Sequence, residues 1–451
     1  MKIIVIGCNH AGTWAAKTLK ATDPKCQVVA YDRNDNISFL ACGIALWVGG
    51  TVKDPEGLFY ASPEGLESEG ISVRMGYDVT EIDWNAKKIR GKILATGAAF
   101  EDNYDKLILA AGSWPVMPPI EGLTDPNTEY GLKKGIFFSK LYQQGRDIIN
   151  EISKPEVKRV MVIGAGYIGV ELVEAFKNRG KEVILTEAMP RVMANYFDKE
   201  ITDEAEKRIR DAGIELHLGE TVKKFEGDGR LQRVITDKGA YDVDMAVLSV
   251  GFRPNSDLYK DHLKTLPNGA IKVNMKMETS EKDVYAIGDC AAVHSCASGK
   301  DEYIALATNA VRMGIVAACN ALGQSVEYVG TQGSNAICVF GYNMASTGLS
   351  EEAAKAKGLK VKSNFFRDAE RPEFMPTYEE VAVKIVYEED SGRLVGAQIA
   401  SNHNHAEAIH AFSLAIQNGM SVRQFALSDF FFLPHYNKPL SWMTMVAYTA
   451  K

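Results

Sequence analysis

The chain lacks the features that would assign it to several common classes. Its seven cysteines include no C-x-x-C pair, and an odd count leaves no closed disulfide framework, which predicts a reducing compartment. Positive charge is not in excess. Fifty-one Lys and Arg stand against 58 Asp and Glu, a net charge of −7, so there is no basic surface for nucleic acid. No uncharged apolar run reaches the roughly 18 residues that a membrane span needs. No charged leader or cleavage pattern precedes the apolar run at residues 3–7, so no signal peptide is read there. His403, His405 and His410 cluster in sequence without the cysteines or carboxylates of a metal site and read as solvated. These absences predict a soluble cytoplasmic protein without a metal. At 451 residues it is too long for one core, so two to three domains are expected.

What is present is a nucleotide-binding signature, twice. KIIVIGCNHAG (2–12) and RVMVIGAGYIG (159–169) begin 157 residues apart. Each is an apolar run entering a glycine turn, followed by a helical pattern and a strand that closes on an acid. Asp32 comes 25 residues after Gly7, and Glu187 comes 23 after Gly164. Glycines admit a pyrophosphate to a helix N-terminus, and the acid accepts ribose hydroxyls. Two such units imply two dinucleotides, most simply a flavin enzyme reduced by a nicotinamide. Glu187 would repel a 2′-phosphate and so favours NADH over NADPH, a preference that Arg191, four residues on, could soften.

The first βαβ unit continues to the strand at 106–112, after which SWPVMPPIEG (113–122) reads as a proline-rich connector. The second unit ends near Gly251. The segment 304–322 has helical apolar spacing. Beyond about 330 the texture changes to a hairpin around Ser391-Gly392, an amphipathic helix near 406–420, and an aromatic cluster from 430. The expected fold is α/β: two Rossmann-like domains for FAD and NAD, then a C-terminal α+β dimerisation domain. The boundaries read as 1–120 with 252–325 (FAD), 121–251 (NADH) and 326–451. The terminal aromatics read as interface material.

The segments GCNHAG, NISFLACGIALWVGG, LILAAGS, VIGAGYIGVE, DVYAIGD, IALATNA and FFFLPHYNKP resemble the flavoprotein disulfide reductases. More closely they are similar to the single-cysteine branch, which holds NADH oxidases, NADH peroxidases and coenzyme A-disulfide reductases. The resemblance spans essentially the whole chain. It implies that Gly7 and Gly12 cradle the FAD pyrophosphate, with Asn9 at the middle fingerprint position and Asp32 on the adenosine ribose. It places Asp289 at the ribityl chain, Ala111, Gly112 and Ser113 beneath the flavin, and Val79, Lys140 and Ala307 as further FAD contacts. For NADH it implies Gly164, Gly166, Ile168, Gly169, Glu187, Tyr196 and Gly251, with Tyr167 covering the flavin until nicotinamide arrives. It also implies a homodimer or a dimer of dimers.

Cys42 lies where a loop enters a helix, and a helix N-terminus lowers a cysteine pKa. Dithiol reductases need a second cysteine five residues away, but positions 37 and 47 are Ile37 and Trp47. A lone thiolate cycles through sulfenic acid instead. His10, at the start of the first helix, is placed to hydrogen-bond the oxidised Cys42 or to pass a proton to leaving hydroxide. The catalytic pair is therefore expected to be Cys42 and His10, with FAD and NADH as cofactors and dioxygen and NADH as substrates. The reaction would be NADH oxidation with dioxygen reduced to water. Peroxide as the true acceptor, coenzyme A-disulfide reduction, and a peroxide-sensing flavoprotein are the alternatives. The usual His-Pro of the C-terminal region is here Pro434-His435-Tyr436, so no acid–base role is carried over to His435.

Overall fold

A computed structural model describes residues 1–451. Two parallel sheets organise the first two thirds of the chain. In the first, Lys2–Ile6 (β1) pairs with Gln27–Asp32 (β2) on one side and Lys106–Leu109 on the other; Ser72–Met75 and Val284–Ala286 form the edges. Ile3, Ile4 and Val5 are fully buried, as expected of strands covered on both faces. His10–Thr22 (α1) packs against the helix Ala307–Ala321 closely enough that a Cβ on Gly314 would meet the Ala11 carbonyl at 2.6 Å. The second sheet repeats the plan, with Arg159–Ile163 (β3) between Glu182–Glu187 (β4) and Met245–Leu248. A three-stranded antiparallel sheet shares the core of each, through Ile82 and Ile89 in the first and Phe225 and Val234 in the second.

The chain passes between the two sheets twice, and the crossings pair with each other. Ser113–Pro115, within the predicted connector, forms an antiparallel ribbon with Phe252–Pro254. The last third is a five-stranded antiparallel sheet in which Glu380–Glu388 and Leu394–Ser401 form the expected hairpin. Helices Ile409–Gln417 and Trp442–Tyr448 pack on it. Buried Lys384 ties this sheet to the second domain through Glu200 at 2.9 Å and Asp198 at 3.4 Å, and pairs within its own domain with Glu351 at 2.9 Å. Of the aromatics before the last helix, Phe430 packs onto this core, but those after it do not. Phe431 is 68% exposed and Tyr436 64%, with Phe374 beside the same domain at 76%. An apolar group of that size on one flank is the signature of an association surface.

Candidate active site

The two glycine loops are wired alike. Gly7 (φ 97°) and Gly164 (φ 102°) lie in the left-handed region, and a Cβ on either would strike a backbone carbonyl, Ala110 at 2.2 Å or Ser249 at 2.5 Å. Each acid is then held by two backbone amides at corresponding places. Asp32 accepts from Cys8 N (2.7 Å) and Asn34 N (2.8 Å); Glu187 accepts from Ala165 N (2.6 Å) and Met189 N (2.8 Å). A carboxylate has about four acceptor positions, so each keeps lone pairs for ribose hydroxyls. Asn9 and Gly166 stand at the N-caps of α1 and of Tyr167–Asn178 (α2), where neither side chain occupies the free helix amides.

Both loops open into one cavity of about 1630 Å³, larger than the ~300–1,000 Å³ of a single small-molecule site. Its wall carries Gly7, Asn9, His10, Asp32, Cys42, Val79, Ala111, Gly112, Ser113, Lys140, Asp289 and Ala307 from one half. From the other half come Gly164, Gly166, Tyr167, Ile168, Glu187, Tyr196 and Gly251. Gly12 and Gly169 do not line it. A Cβ at Gly12 would lie 1.8 Å from the Gly7 carbonyl, and one at Gly169 would lie 1.9 Å from that of Gly164. Cradling pyrophosphate was the expectation for Gly12; its position instead lets α1 lie against its own glycine turn.

Six buried side-chain polar atoms have no hydrogen-bond partner, and four belong to the cavity wall: Tyr167 Oη, Ser249 Oγ, Tyr303 Oη and Gln332 Nε2. Leaving such a group unpaired costs about 1–3 kcal/mol, so this lining fits polar ligands that supply the missing partners. Lys140 Nζ donates to Ser113 Oγ (2.8 Å), which donates to Asp289 (2.8 Å), and the ammonium stands 4.2 Å from the Phe252 ring centroid. Tyr167 packs edge-on against Tyr196 with ring centroids 4.5 Å apart.

Cys42 sits in the 3₁₀ turn Ala41–Gly43, just before the six-residue helix Ile44–Gly49, and is exposed. The expected depression of its pKa is not found. Desolvation, followed by the charge of Glu171, pushes the thiol up, against the opposing amides of Cys42 and Gly43. The thiol lies outside a helix too short to carry much dipole, and a carboxylate faces it. Glu171 itself is raised to about 7 by burial and by Glu174, and it forms no hydrogen bond or ion pair. This acid stands within the VIGAGYIGVE motif, and its spacing four residues after Tyr167 places both on one helix face. That spacing was the signal by which it could have been found. Tyr60, which is hydrogen-bonded to His10, left no sequence signal.

His10 opens α1; burial lowers its pKa, opposed by Asp289 and assisted by Lys140. Cys8, also in the wall, is fully buried with its thiol pushed up to about 12, chiefly by desolvation. His403 and His410 are exposed as expected, His405 less so, and His403 and His405 clasp buried Glu370 at 2.8 and 2.5 Å. His435 contributes only its carbonyl, to Arg371. No three His, Cys, Asp or Glu side chains stand together as a metal site, and no helix is long and apolar enough to cross a membrane.

Residues 1–314 match the family model described as pyridine nucleotide-disulphide oxidoreductase, and residues 334–444 match that family's dimerisation domain. The chain belongs to the pyridine nucleotide-disulphide oxidoreductase family. It is 46% identical to an NADH oxidase of Enterococcus faecalis, over all of this chain and 99% of that one. To an NADH oxidase of Streptococcus pyogenes it is 47% identical, again over all of this chain and 99% of the other. A solved water-forming NADH oxidase from Lactobacillus brevis, bound to NADH, superposes with a TM-score of 0.95 at 41% identity, covering 99% of this chain and 97% of that one.

Proposed function

We propose that the protein is an FAD-dependent, water-forming NADH oxidase whose redox centre is Cys42. One observation carries this reading: an exposed thiol shares a single cavity with both dinucleotide loops, and no second accessible thiol lines it. Its cofactors are FAD and NADH. When bound, FAD supplies hydride acceptance from NADH and two-electron delivery to dioxygen. The chain does the rest. Asp32 and Glu187 hold ribose hydroxyls, and the N-termini of α1 and α2 face the pyrophosphates. The Cys42 thiolate attacks the O–O bond of peroxide, releasing hydroxide and becoming sulfenic acid. His10 hydrogen-bonds the departing oxygen, which takes up a proton and leaves as water. Two electrons and a proton from the second NADH then return the thiolate and release a second water.

Glu187 sets the preference for NADH. Arg191, four residues after Glu187, is buried, and its guanidinium is committed to Glu352 (2.5 Å) and the Phe197 carbonyl (3.1 Å). Replacing Glu187 with Ala should raise the KM for NADH by roughly tenfold or more, because charged hydrogen bonds are each worth about 1.5–3 kcal/mol. The ratio of NADPH to NADH turnover should rise with it. Steady-state kinetics with both nucleotides check this, and an unchanged KM for NADH would remove Glu187 from the site.

The overall reading is tested with an oxygen electrode and limiting NADH. Two NADH should disappear per dioxygen, and catalase added at the end should return no oxygen. Return of half the consumed oxygen would mean that peroxide is the product. NADH oxidation that needs added peroxide would make the enzyme a peroxidase. The finer assembly we infer is a homodimer formed through the C-terminal domain.

A further inference from the structure

The segment that carries Cys42 is tied to a second strand of chain. Phe39 bridges Phe59, Leu40 N donates to the Leu58 carbonyl at 2.8 Å, and the buried Ser38 hydroxyl bonds both the amide (2.8 Å) and the carbonyl (2.7 Å) of Ala61. These contacts fix the backbone on either side of Tyr60. From there the Tyr60 hydroxyl reaches His10 Nδ1 at 3.0 Å, and the two rings lie parallel, 8° apart with centroids at 5.6 Å. His10 Nε2 makes no hydrogen bond within the chain, and His10 belongs to the cavity wall. The thiol, the histidine and the tyrosine are thus set by one local framework.

We propose that Tyr60 is the positioning residue for His10: its hydroxyl donates to Nδ1, fixing the neutral ring with the Nε2 hydrogen free for the cavity that Cys42 also lines. This rests on the role given to His10 under the proposed function and extends it. A neutral imidazole has one donor and one acceptor nitrogen, and the hydrogen bond at one decides what the other offers. Were Nδ1 to carry the hydrogen, Nε2 would meet the departing oxygen lone pair to lone pair. A phenol that donates to Nδ1 removes that arrangement, and the parallel ring contact holds the imidazole plane. Burial keeps the ring neutral, so its tautomer matters.

Tyr60→Phe keeps the ring contact and deletes only the hydroxyl. With the flavin-loaded, full-length enzyme labelled with ¹⁵N-histidine, and His10 assigned by loss of its signals in His10→Gln, the wild type should show Nε2 protonated and Nδ1 bare. Tyr60→Phe should shift His10 towards Nδ1 protonation. NADH turnover driven by added peroxide, without dioxygen, should fall about tenfold in Tyr60→Phe, the order of one lost hydrogen bond. In a His10→Gln background the same change should cost nothing more, because the two act through one nitrogen. A wild-type Nδ1-protonated ring, or a tautomer unchanged in Tyr60→Phe, overturns the proposal. Additive losses overturn the coupling between the two residues while leaving the role of His10 standing. Unchanged turnover in His10→Gln overturns the role of His10 itself, and with it this inference.

Discussion

Cys42→Ser is expected to change the product rather than stop the reaction. NADH and dioxygen would still be consumed, but in equal amounts, with hydrogen peroxide accumulating where the wild type releases water. The dinucleotide loops, Lys140 and Asp289 are untouched by the substitution, so reduction of dioxygen to peroxide keeps its machinery. The second two-electron step loses its nucleophile. A serine hydroxyl stays protonated near neutrality and has no counterpart of the sulfenic state. No other thiol can substitute, because Cys8, though part of the wall, is fully buried and its thiol is pushed up to about 12. The measurement is oxygen return on adding catalase, which should rise from none to half of the oxygen consumed. If the variant still takes two NADH per dioxygen without peroxide, Cys42 is not the redox centre.

Gly12→Ala is expected to cost the protein its flavin, and much of its stability with it. The new methyl would lie 1.8 Å from the Gly7 carbonyl oxygen, a backbone atom with no rotamer to move away. Gly7 cannot retreat freely, because the Ala110 carbonyl stands so near that a Cβ on Gly7 would lie 2.2 Å from it, and the Gly7 amide bonds the Tyr31 carbonyl at 2.8 Å. The helix must therefore move off the turn. The α1 N-terminus then leaves the place where a pyrophosphate would meet it, at a cost of about 3 kcal/mol or more. Gly166→Ala is the contrasting substitution: nothing lies within 4 Å of its Cβ and its φ is −76°, so the chain should fold normally. Thermal melts and visible flavin absorbance of the two purified variants separate the cases. A Gly12→Ala protein that melts like wild type and retains flavin would remove the packing argument.

These two glycines show where sequence reading succeeds and where it stops. The pair of loops, their acids and the lone Cys42 were legible because each depends on neighbours within a few dozen residues: a left-handed turn, a strand, a helix start. Which glycine lines the cavity and which packs helix against turn depends on distances across the turn, and spacing alone does not separate them. The pKa of Cys42 depends on Glu171, more than a hundred residues away, and on how short the following helix is. Tyr60 meets His10 only because Ser38 clamps Ala61. Nothing near His403 and His405 in sequence shows the buried carboxylate of Glu370 that arrives between them. In each of these cases the missing information is a long-range pairing.

The bare aromatics at Phe374, Phe431 and Tyr436 have a consequence for the folded chain as an object in water. A single copy is amphiphilic on one flank, and nothing inside it can dry that flank. How long those rings remain wet is then governed by mass action, and so by how concentrated the protein is.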